Sequence, residues 1–358
     1  MTRLDLHVLV AGSIGQRTGG YVYDSRIVDG LRRLGWRVTV YSLAGAFPDV
    51  DAEARVSMVS ALAAIPDSGR VVVDGLAMCG LPGPIWAERR RLRILSLVHH
   101  PLADETGLDK VQRARFAELE RESLSACAGV LVTSEFTARR ICEFGIGAAR
   151  VRVVRPGTDP VCFAVGPQSG ETPALLCVAS VTPRKGHDVL VRALALLPDL
   201  RWTCVCIGSL GRAPDYALAV QNLVREHGLG DCVKFLGECE RDCLDGFYHQ
   251  ASLFVLASHY EGYGMALTDA LARGLPVVST TGGAIPFTVP GDASVLVQPG
   301  DDLALSKALR RLLSDDGVED RTLLAASARR YASTLPDWDH AAAAFTEALL
   351  DLTPDGNV

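Results

Sequence analysis

An α/β protein built from two parallel-sheet domains is what this sequence predicts, and three observations predict it. The 358 residues leave room for two domains at ~150 residues each, each able to hide roughly two-thirds of its unfolded surface. Short apolar runs of strand length recur along the chain, most followed by a glycine-bearing turn and a helix-length segment, as in a buried parallel sheet with crossover helices. Between two such series lies Gly166-Pro167-Gln168-Ser169-Gly170-Glu171-Thr172-Pro173, which has the composition of a linker. We therefore expect domains at 1–165 and 166–335, with residues 336–358 as a C-terminal helix.

Composition narrows the class. Hydrophobic residues make up 48% and charged residues 22%, ordinary for a globular protein. No apolar run reaches the ~18 residues that span a bilayer, and Met1-Thr2-Arg3-Leu4-Asp5 does not open a secretory leader. A cytoplasmic protein is the expectation. The ten cysteines are scattered, several in strand-like runs (Cys177, Cys204, Cys206) where a thiol serves as a small buried hydrophobe. Cys239 and Cys243 come nearest to a metal pattern, with no second Cys/His pair at finger-like spacing, so no metal is expected. Residues 1–165 carry 21 Lys and Arg against 18 Asp and Glu, a net of +3, leaving −9 for the remainder. That acidic half argues against nucleic acid as a partner. The basic run Glu88-Arg89-Arg90-Arg91-Leu92-Arg93 reads as a solvated connection more readily than as a docking patch.

In chain order, Leu6 to Ala11 is a buried strand, and Gly12-Ser13-Ile14-Gly15-Gln16-Arg17-Thr18-Gly19-Gly20 is a glycine-rich loop entering a helix that Gly35 ends. Arg37 to Tyr41 is the next strand. The opening is Rossmann-like, but it lacks the G-x-G-x-x-G spacing of a dinucleotide site, which removes the best support for a hydride-transfer enzyme. Val71-Val72-Val73-Asp74-Gly75 follows, then Arg93 to Val98, a strand that delivers His99-His100-Pro101 to its carboxyl end, where ligands of such sheets bind. A polar helix is expected over about 106–127. Gly129 to Val132 is a strand, and Thr133 or Ser134 caps the helix expected at 137–144. Val151 to Asp159 ends the half.

The second series starts with Ala174 to Ala179 and a turn carrying Arg184-Lys185-Gly186. There Arg offers a two-pronged contact to a phosphate and Lys a point charge. Arg201 to Ile207 is a strand ended by Gly208, and Val233-Lys234-Phe235-Leu236-Gly237-Glu238 is another. Helices are expected at about 215–228 and 242–249. The segment Ser252 to Leu256 then leads into Ser258-His259-Tyr260-Glu261-Gly262-Tyr263-Gly264-Met265-Ala266-Leu267-Thr268-Asp269, a strand, a glycine turn and a helix ended by Gly274. Gly262 and Gly264 let backbone approach a ligand, and the first amides of the helix suit an anion. Val277 to Ala284 is a last strand and Gly-Gly turn. Val295 to Val297, a helix at 303–313, a helix after Glu319 and one from Trp338 to Leu352 complete the chain.

Taken together, these segments resemble the retaining glycosyltransferases of the GT-B fold, family 4 especially, in family order over nearly the whole chain. Glu261 and Asp269 stand at the ends of that family's signature of two glutamates seven residues apart, with Asp269 in place of the second. Gly15, Gly19 and Gly20 look like its Gly-Gly loop, and Arg184 and Lys185 like the cations that neutralise the departing nucleoside diphosphate. Either His99 or His100 matches the histidine that touches the transferred sugar. His100 is favoured because Pro101 fixes its backbone as extended.

The resemblance implies two Rossmann-like domains with an interdomain cleft, and a C-terminal helix that crosses back to the first domain, anchored by Trp338. It implies transfer of a hexose-type sugar from a UDP- or GDP-linked donor to a hydroxyl of a small-molecule or lipid-linked acceptor, with no cofactor and no metal. Catalytic roles fall to His100, Arg184, Lys185 and Glu261. Donor contacts fall to Gly19, Gly20, His99, Gly208, Phe235, Leu236, Gly262, Tyr263, Gly264, Met265, Ala266 and Asp269. An epimerase or hydrolase of nucleotide sugars, or a non-catalytic binder of them, is the alternative on the same fold.

Overall fold

A computed structural model describes residues 4–167 and 171–354. The chain forms two units, one of residues up to Gly157 together with those from Pro336 on, the other of Thr158–Leu335.

In the first unit six parallel strands make one sheet: β1 (Asp5–Ala11), β2 (Arg37–Leu43), β3 (Arg70–Asp74), β4 (Arg93–Val98), β5 (Gly129–Val132) and β6 (Val151–Val153), in the order β2-β1-β3-β4-β5-β6. Helices cover both faces, so the central strands read as unbroken apolar runs with no alternation. Val71, Val72, Val73, Ile94, Leu95, Val130 and Leu131 are all buried.

Helix Gly19–Arg33 buries Tyr23, Ile27 and Leu31 and packs along helix Trp338–Leu352. At Gly30 an added Cβ would lie 2.5 Å from that of Ala342. A mid-helix glycine costs about 1 kcal/mol relative to alanine, and here it lets two backbones approach through the small residues of the Ala341–Ala344 cluster. Trp338 is buried edge-on to Tyr23, with ring centroids 6.1 Å apart. The C-terminal helix therefore belongs to the first unit, as the resemblance implies.

The second unit repeats the plan with β7 (Ala174–Val178), β8 (Thr203–Ile207), β9 (Val233–Phe235), β10 (Leu253–Val255), β11 (Val277–Thr280) and β12 (Ser294–Val297). Their order is β12-β11-β10-β7-β8-β9, again all parallel. Leu175, Leu190, Leu194, Phe254, Val277 and Leu309 lie in its core.

Several elements differ from the sequence expectation. The units divide at Gly157 and Thr158, not after residue 165, because the chain beyond is held by the second unit. Asp159 pairs with Arg241, the Ala164 amide donates to the Arg273 carbonyl at 2.8 Å and that of Val165 to His249 at 3.0 Å. The polar helix begins at Lys110, where Asp109 and Gln112 form a reciprocal cap, and Ser134 is the cap of helix Glu135–Glu143. Helix Ala52–Ala63 had no readable signal, since Val56 and Val59 are exposed on it and blur its apolar stripe. Arg91, within the supposed solvated run, donates to the carbonyls of Leu62 and Ile65 and to Glu88.

Candidate active site

Order along the second sheet places the site. Successive strands run outward from β7 to β8 and β9, and the chain then returns to the other side of β7 for β10, β11 and β12. At β7 and β10 the crossovers therefore leave in opposite directions, opening a crevice at the carboxyl ends of these neighbours. The turn after β7 carries Arg184 and Lys185, and the turn after β10 carries Glu261.

The two turns are clamped together. Gly186 has φ +63°, and a Cβ there would meet the Ala257 carbonyl oxygen at 2.1 Å, so only glycine gives both the left-handed backbone and the close approach. The His259 amide donates to the Arg184 carbonyl at 2.7 Å, and Arg184 Nη1 donates to the Tyr260 carbonyl at 3.1 Å. From the far side, the Ala284 amide donates to the Glu261 carbonyl at 2.8 Å. A Cβ on Gly283 would stand 2.4 Å from that same oxygen, which explains the Gly-Gly turn after β11.

These clamps gather three charges. Lys185 Nζ lies 2.5 Å from Glu261 Oε1 and Arg184 Nη1 3.6 Å from Oε2, while Ser258 Oγ donates to Oε1 at 2.6 Å. Glu261 is only 5% exposed, so it is no solvated loop residue. Burial alone would raise its pKa, but Lys185 and Arg184 outweigh that and hold the carboxylate below its ordinary range. Burial lowers the pKa of Lys185, with Glu261 opposing and Arg184 adding to the fall. The net charge of the trio is +1, in a dry setting where an anion is held strongly.

Next to it, helix Met265–Ala272 starts from Gly264 at φ +93° with no side-chain cap. The amides of Met265 and Ala266 donate to no group among the described residues, as an anion-binding helix start requires. Asp269 sits half-buried on the same helix.

Toward the other sheet edge, Gly208 has no room for a Cβ, which would come 2.1 Å from the Ala179 oxygen. Phe235 is half-buried with its ring 6.1 Å from that of His187, and Leu236 is exposed. The Leu236 amide is committed to the Cys206 carbonyl at 3.0 Å. A donor contact at Leu236 would therefore fall to its carbonyl or side chain and not to its N–H.

The first unit has its own reversal, between β1 and β3. His99, just past β4, directs Nε2 to Asp24 Oδ1 at 2.9 Å. A Cβ on Gly20 would press on its ring at 3.0 Å, and Tyr23 meets the ring edge-on at 5.4 Å. His100 turns to Glu105 in its own loop, with Nε2 3.2 Å from Oε2. Of the two histidines, His99 is the one packed on the Gly19-Gly20 helix start. The Gly19 and Gly20 amides have no partner among the described residues.

Residues 163–331 match the family described as glycosyl transferases group 1, and residues 70–161 match glycosyltransferase family 4. Together these two models match most of the chain, in the order that the resemblance to family 4 implies. A D-inositol 3-phosphate glycosyltransferase of Xylanimonas cellulosilytica is 33% identical over 250 residues, covering 65% of this chain and 59% of that one. Its counterpart in Thermomonospora curvata is 31% identical over 293 residues, covering 71% and 65%. The chain thus spans less than two-thirds of the length of these relatives. Among solved structures, sucrose-phosphate synthase of Thermosynechococcus elongatus superposes with a TM-score of 0.79 at 22% identity, covering 96% of this chain and 98% of that one. Anabaena HepE, in complex with UDP and glucose, gives 0.74 at 18%, covering 96% and 99%. At such identities the likeness is one of GT-B fold.

Arg184, Lys185 and Glu261 come together as one charged group. Sequence analysis missed Ser258, Asp24 and Asp74. Ser258 could have been suspected from its place three residues before Glu261, whereas no local pattern marks the two aspartates. It also missed two groupings among the described residues that bring potential metal ligands within 4.8 Å: Asp24, Asp74 and His99, and the buried Cys177, His187 and Cys206. Cys177 and Cys206 stand side by side on β7 and β8. A bond from Cys206 and then the nearby His187 lower the pKa of the Cys177 thiol, while Cys177 raises that of Cys206. Neither grouping contains Cys239 or Cys243. No described helix is long and apolar enough to cross a membrane.

Proposed function

We propose that this protein is a retaining glycosyltransferase that moves a hexose-type sugar from a nucleoside-diphosphate donor to a hydroxyl of a small-molecule or lipid-linked acceptor. The observation that carries the reading is the convergence of Arg184, Lys185 and Glu261 at the β7/β10 reversal, beside open helix-start amides. In this reading the two cations and the Met265 and Ala266 amides meet the charge that grows on the leaving diphosphate, the electrostatic term that usually dominates such steps. Glu261 accepts from hydroxyls of the transferred sugar and Asp269 from the ribose, directly or through one water. The family likeness adds Gly19, Gly20 and one of His99 and His100 as donor contacts. The acceptor proton passes to the leaving phosphate on the same face, so no side chain serves as nucleophile. Because two side-chain cations meet the charge, the reaction asks for no metal ion. HepE, described with UDP and glucose, supports a UDP-linked donor, and the expected compartment is the cytoplasm.

A thermal-shift screen against nucleotide sugars tests this. A donor at ~100 times its dissociation constant adds roughly 2.7 kcal/mol. With the donor in hand, Arg184→Ala should cut kcat and Asp269→Ala should chiefly raise the donor KM, with rates unchanged by EDTA. Sugar released to water or epimerised without an acceptor would mark the alternative chemistries. No stabilisation by any nucleotide sugar, or wild-type kinetics in both variants, would sink the proposal.

A further inference from the structure

Beneath the turn that carries Arg184 and Lys185, the second unit gathers two thiols and an imidazole. Cys177 on β7 and Cys206 on β8 stand opposite each other in the parallel register, and His187 is the first residue of helix His187–Ala195. All three are at most 2% exposed, and one ligand atom from each lies within 4.8 Å of the others. Neither the charged group nor the open helix start uses any of them.

As a packing residue the histidine is costly. Its ring centroid lies 6.1 Å from that of Phe235, and Nδ1 is sealed from solvent with no hydrogen-bond partner among the described residues. Nε2 faces the Cys177 sulfur at 3.7 Å. A buried polar group left with one weak contact is unfavourable, and each such case in a folded protein calls for an explanation. An apolar side chain would fill the space without that cost. Gly186, one residue earlier, is pressed on the Ala257 carbonyl, so the chain has little freedom to carry the ring away.

The same atoms suit a soft cation. Zinc takes thiolate sulfur at about 2.3 Å and imidazole nitrogen at about 2.0–2.1 Å in a tetrahedral array, which sets sulfur about 3.6 Å from nitrogen and about 3.8 Å from a second sulfur. The 3.7 Å between His187 Nε2 and Cys177 Sγ fits the first separation. With no ligand atoms more than 4.8 Å apart, the remaining separations close with at most about 1 Å of side-chain movement. Two thiolates and a neutral imidazole around a divalent ion sum to zero, as a site this buried requires. Copper(I), which also favours sulfur, would leave a negative charge.

We propose that Cys177, Cys206 and His187 form a binding site for one thiophilic divalent ion, zinc foremost, which ties β7, β8 and the helix after the Arg184-Lys185 turn together. On loading, the two thiols release their protons to solvent, and bonds form from both sulfurs and from Nε2. A water completes the tetrahedron, as in other zinc sites with three protein ligands. The ion is structural and takes no part in transfer, so the inference stands apart from the function proposed above.

Metal analysis of the full chain decides it. Exposed thiols capture zinc on their own, so the protein used is Cys162→Ser/Cys243→Ser, which removes both exposed cysteines. Made in zinc-supplemented medium and passed over a chelating resin, it should keep one zinc per chain. X-ray absorption should then show two sulfurs at about 2.3 Å and a nitrogen at about 2.0–2.1 Å. Adding Cys206→Ser or His187→Gln should abolish the retained zinc. Loaded protein should also melt above protein made without zinc, a difference those variants should lack. Should the buried variants not fold, the absorption spectrum of the intact site carries the test alone. No retained zinc overturns the proposal. So does a shell of oxygen and nitrogen without sulfur, or zinc that survives Cys206→Ser, either of which marks an adventitious ion only. Failure of every nucleotide sugar to react would sink the function proposed above and leave this result untouched.

Discussion

Replacing Glu261 by Gln is the most direct probe of the charged group, because it removes one charge and hardly any volume. At the 2.5 Å separation of Lys185 and Glu261, with an effective dielectric near 20, the direct attraction is roughly 7 kcal/mol. Dehydrating both groups takes back much of this, and breaking such a buried pair typically costs about 3–5 kcal/mol. At about 2–4 °C per kcal/mol for a unit of this size, Tm should fall by roughly 6–20 °C. The pH dependence is the sharper signature. Without Glu261, the pKa of Lys185 falls further, since burial and Arg184 both oppose its charge. Between that lowered value and the value in the unfolded chain, the unfolded state binds more protons, so stability of the variant rises with pH. The deficit relative to wild type should therefore be widest around neutral pH and narrow toward alkaline pH. It should narrow at acid pH as well, where wild-type Glu261 takes up its own proton below the ordinary carboxylate range. Thermal unfolding of both proteins across that span measures it. A Glu261→Gln protein as stable as wild type at neutral pH, or a deficit that does not vary with pH, would refute the buried ion trio.

Two further substitutions test the scaffold. Gly186→Ala places a Cβ on the Ala257 carbonyl in a left-handed backbone and should cost at least about 2 kcal/mol, while weakening donor stabilisation because Arg184 and Lys185 ride on the displaced turn. Unchanged Tm and donor response would show that the clamp is dispensable. Glu120, buried under the loop after β4, accepts from the Leu102 and Ala103 amides, and burial lifts its pKa to about 7, those amides only partly opposing. The folded state holds that proton above the pH at which the unfolded chain loses it, so wild-type stability should drop by about 3 kcal/mol between acid and neutral pH. Glu120→Gln should flatten this slope in Tm measured against pH, and an unaltered slope would reject the assignment.

Strands and turns were legible because a sheet covered on both faces writes each strand as a continuous apolar run, with a glycine where the chain must turn at close quarters. The arrival of Arg184, Lys185 and Glu261 at strand ends follows from that pattern alone. Their contact does not, for it depends on β7 and β10 being neighbours although 75 residues separate Val178 from Leu253. The family likeness bridged the gap by supplying the strand order.

Where the likeness offers two histidines, local sequence and tertiary packing distinguish them by different features. Pro101 constrains the backbone of His100, but the side chains are told apart by what packs on them. Gly20 and Asp24 reach His99 from a helix more than seventy residues earlier in the chain. The same holds for the domain boundary, where composition marked an irregular stretch while the contacts of Asp159, Ala164 and Val165 assigned it to the second unit. Glu261 is the most telling case. A glutamate in a loop is ordinarily solvated, and its burial becomes tolerable only because two cations from another strand end arrive beside it. Its placement therefore has to be conditional on the fold around it. An acid whose burial depends on partners from a distant segment carries information about a site that neither segment holds alone, and Asp24 meets the same condition in the other sheet.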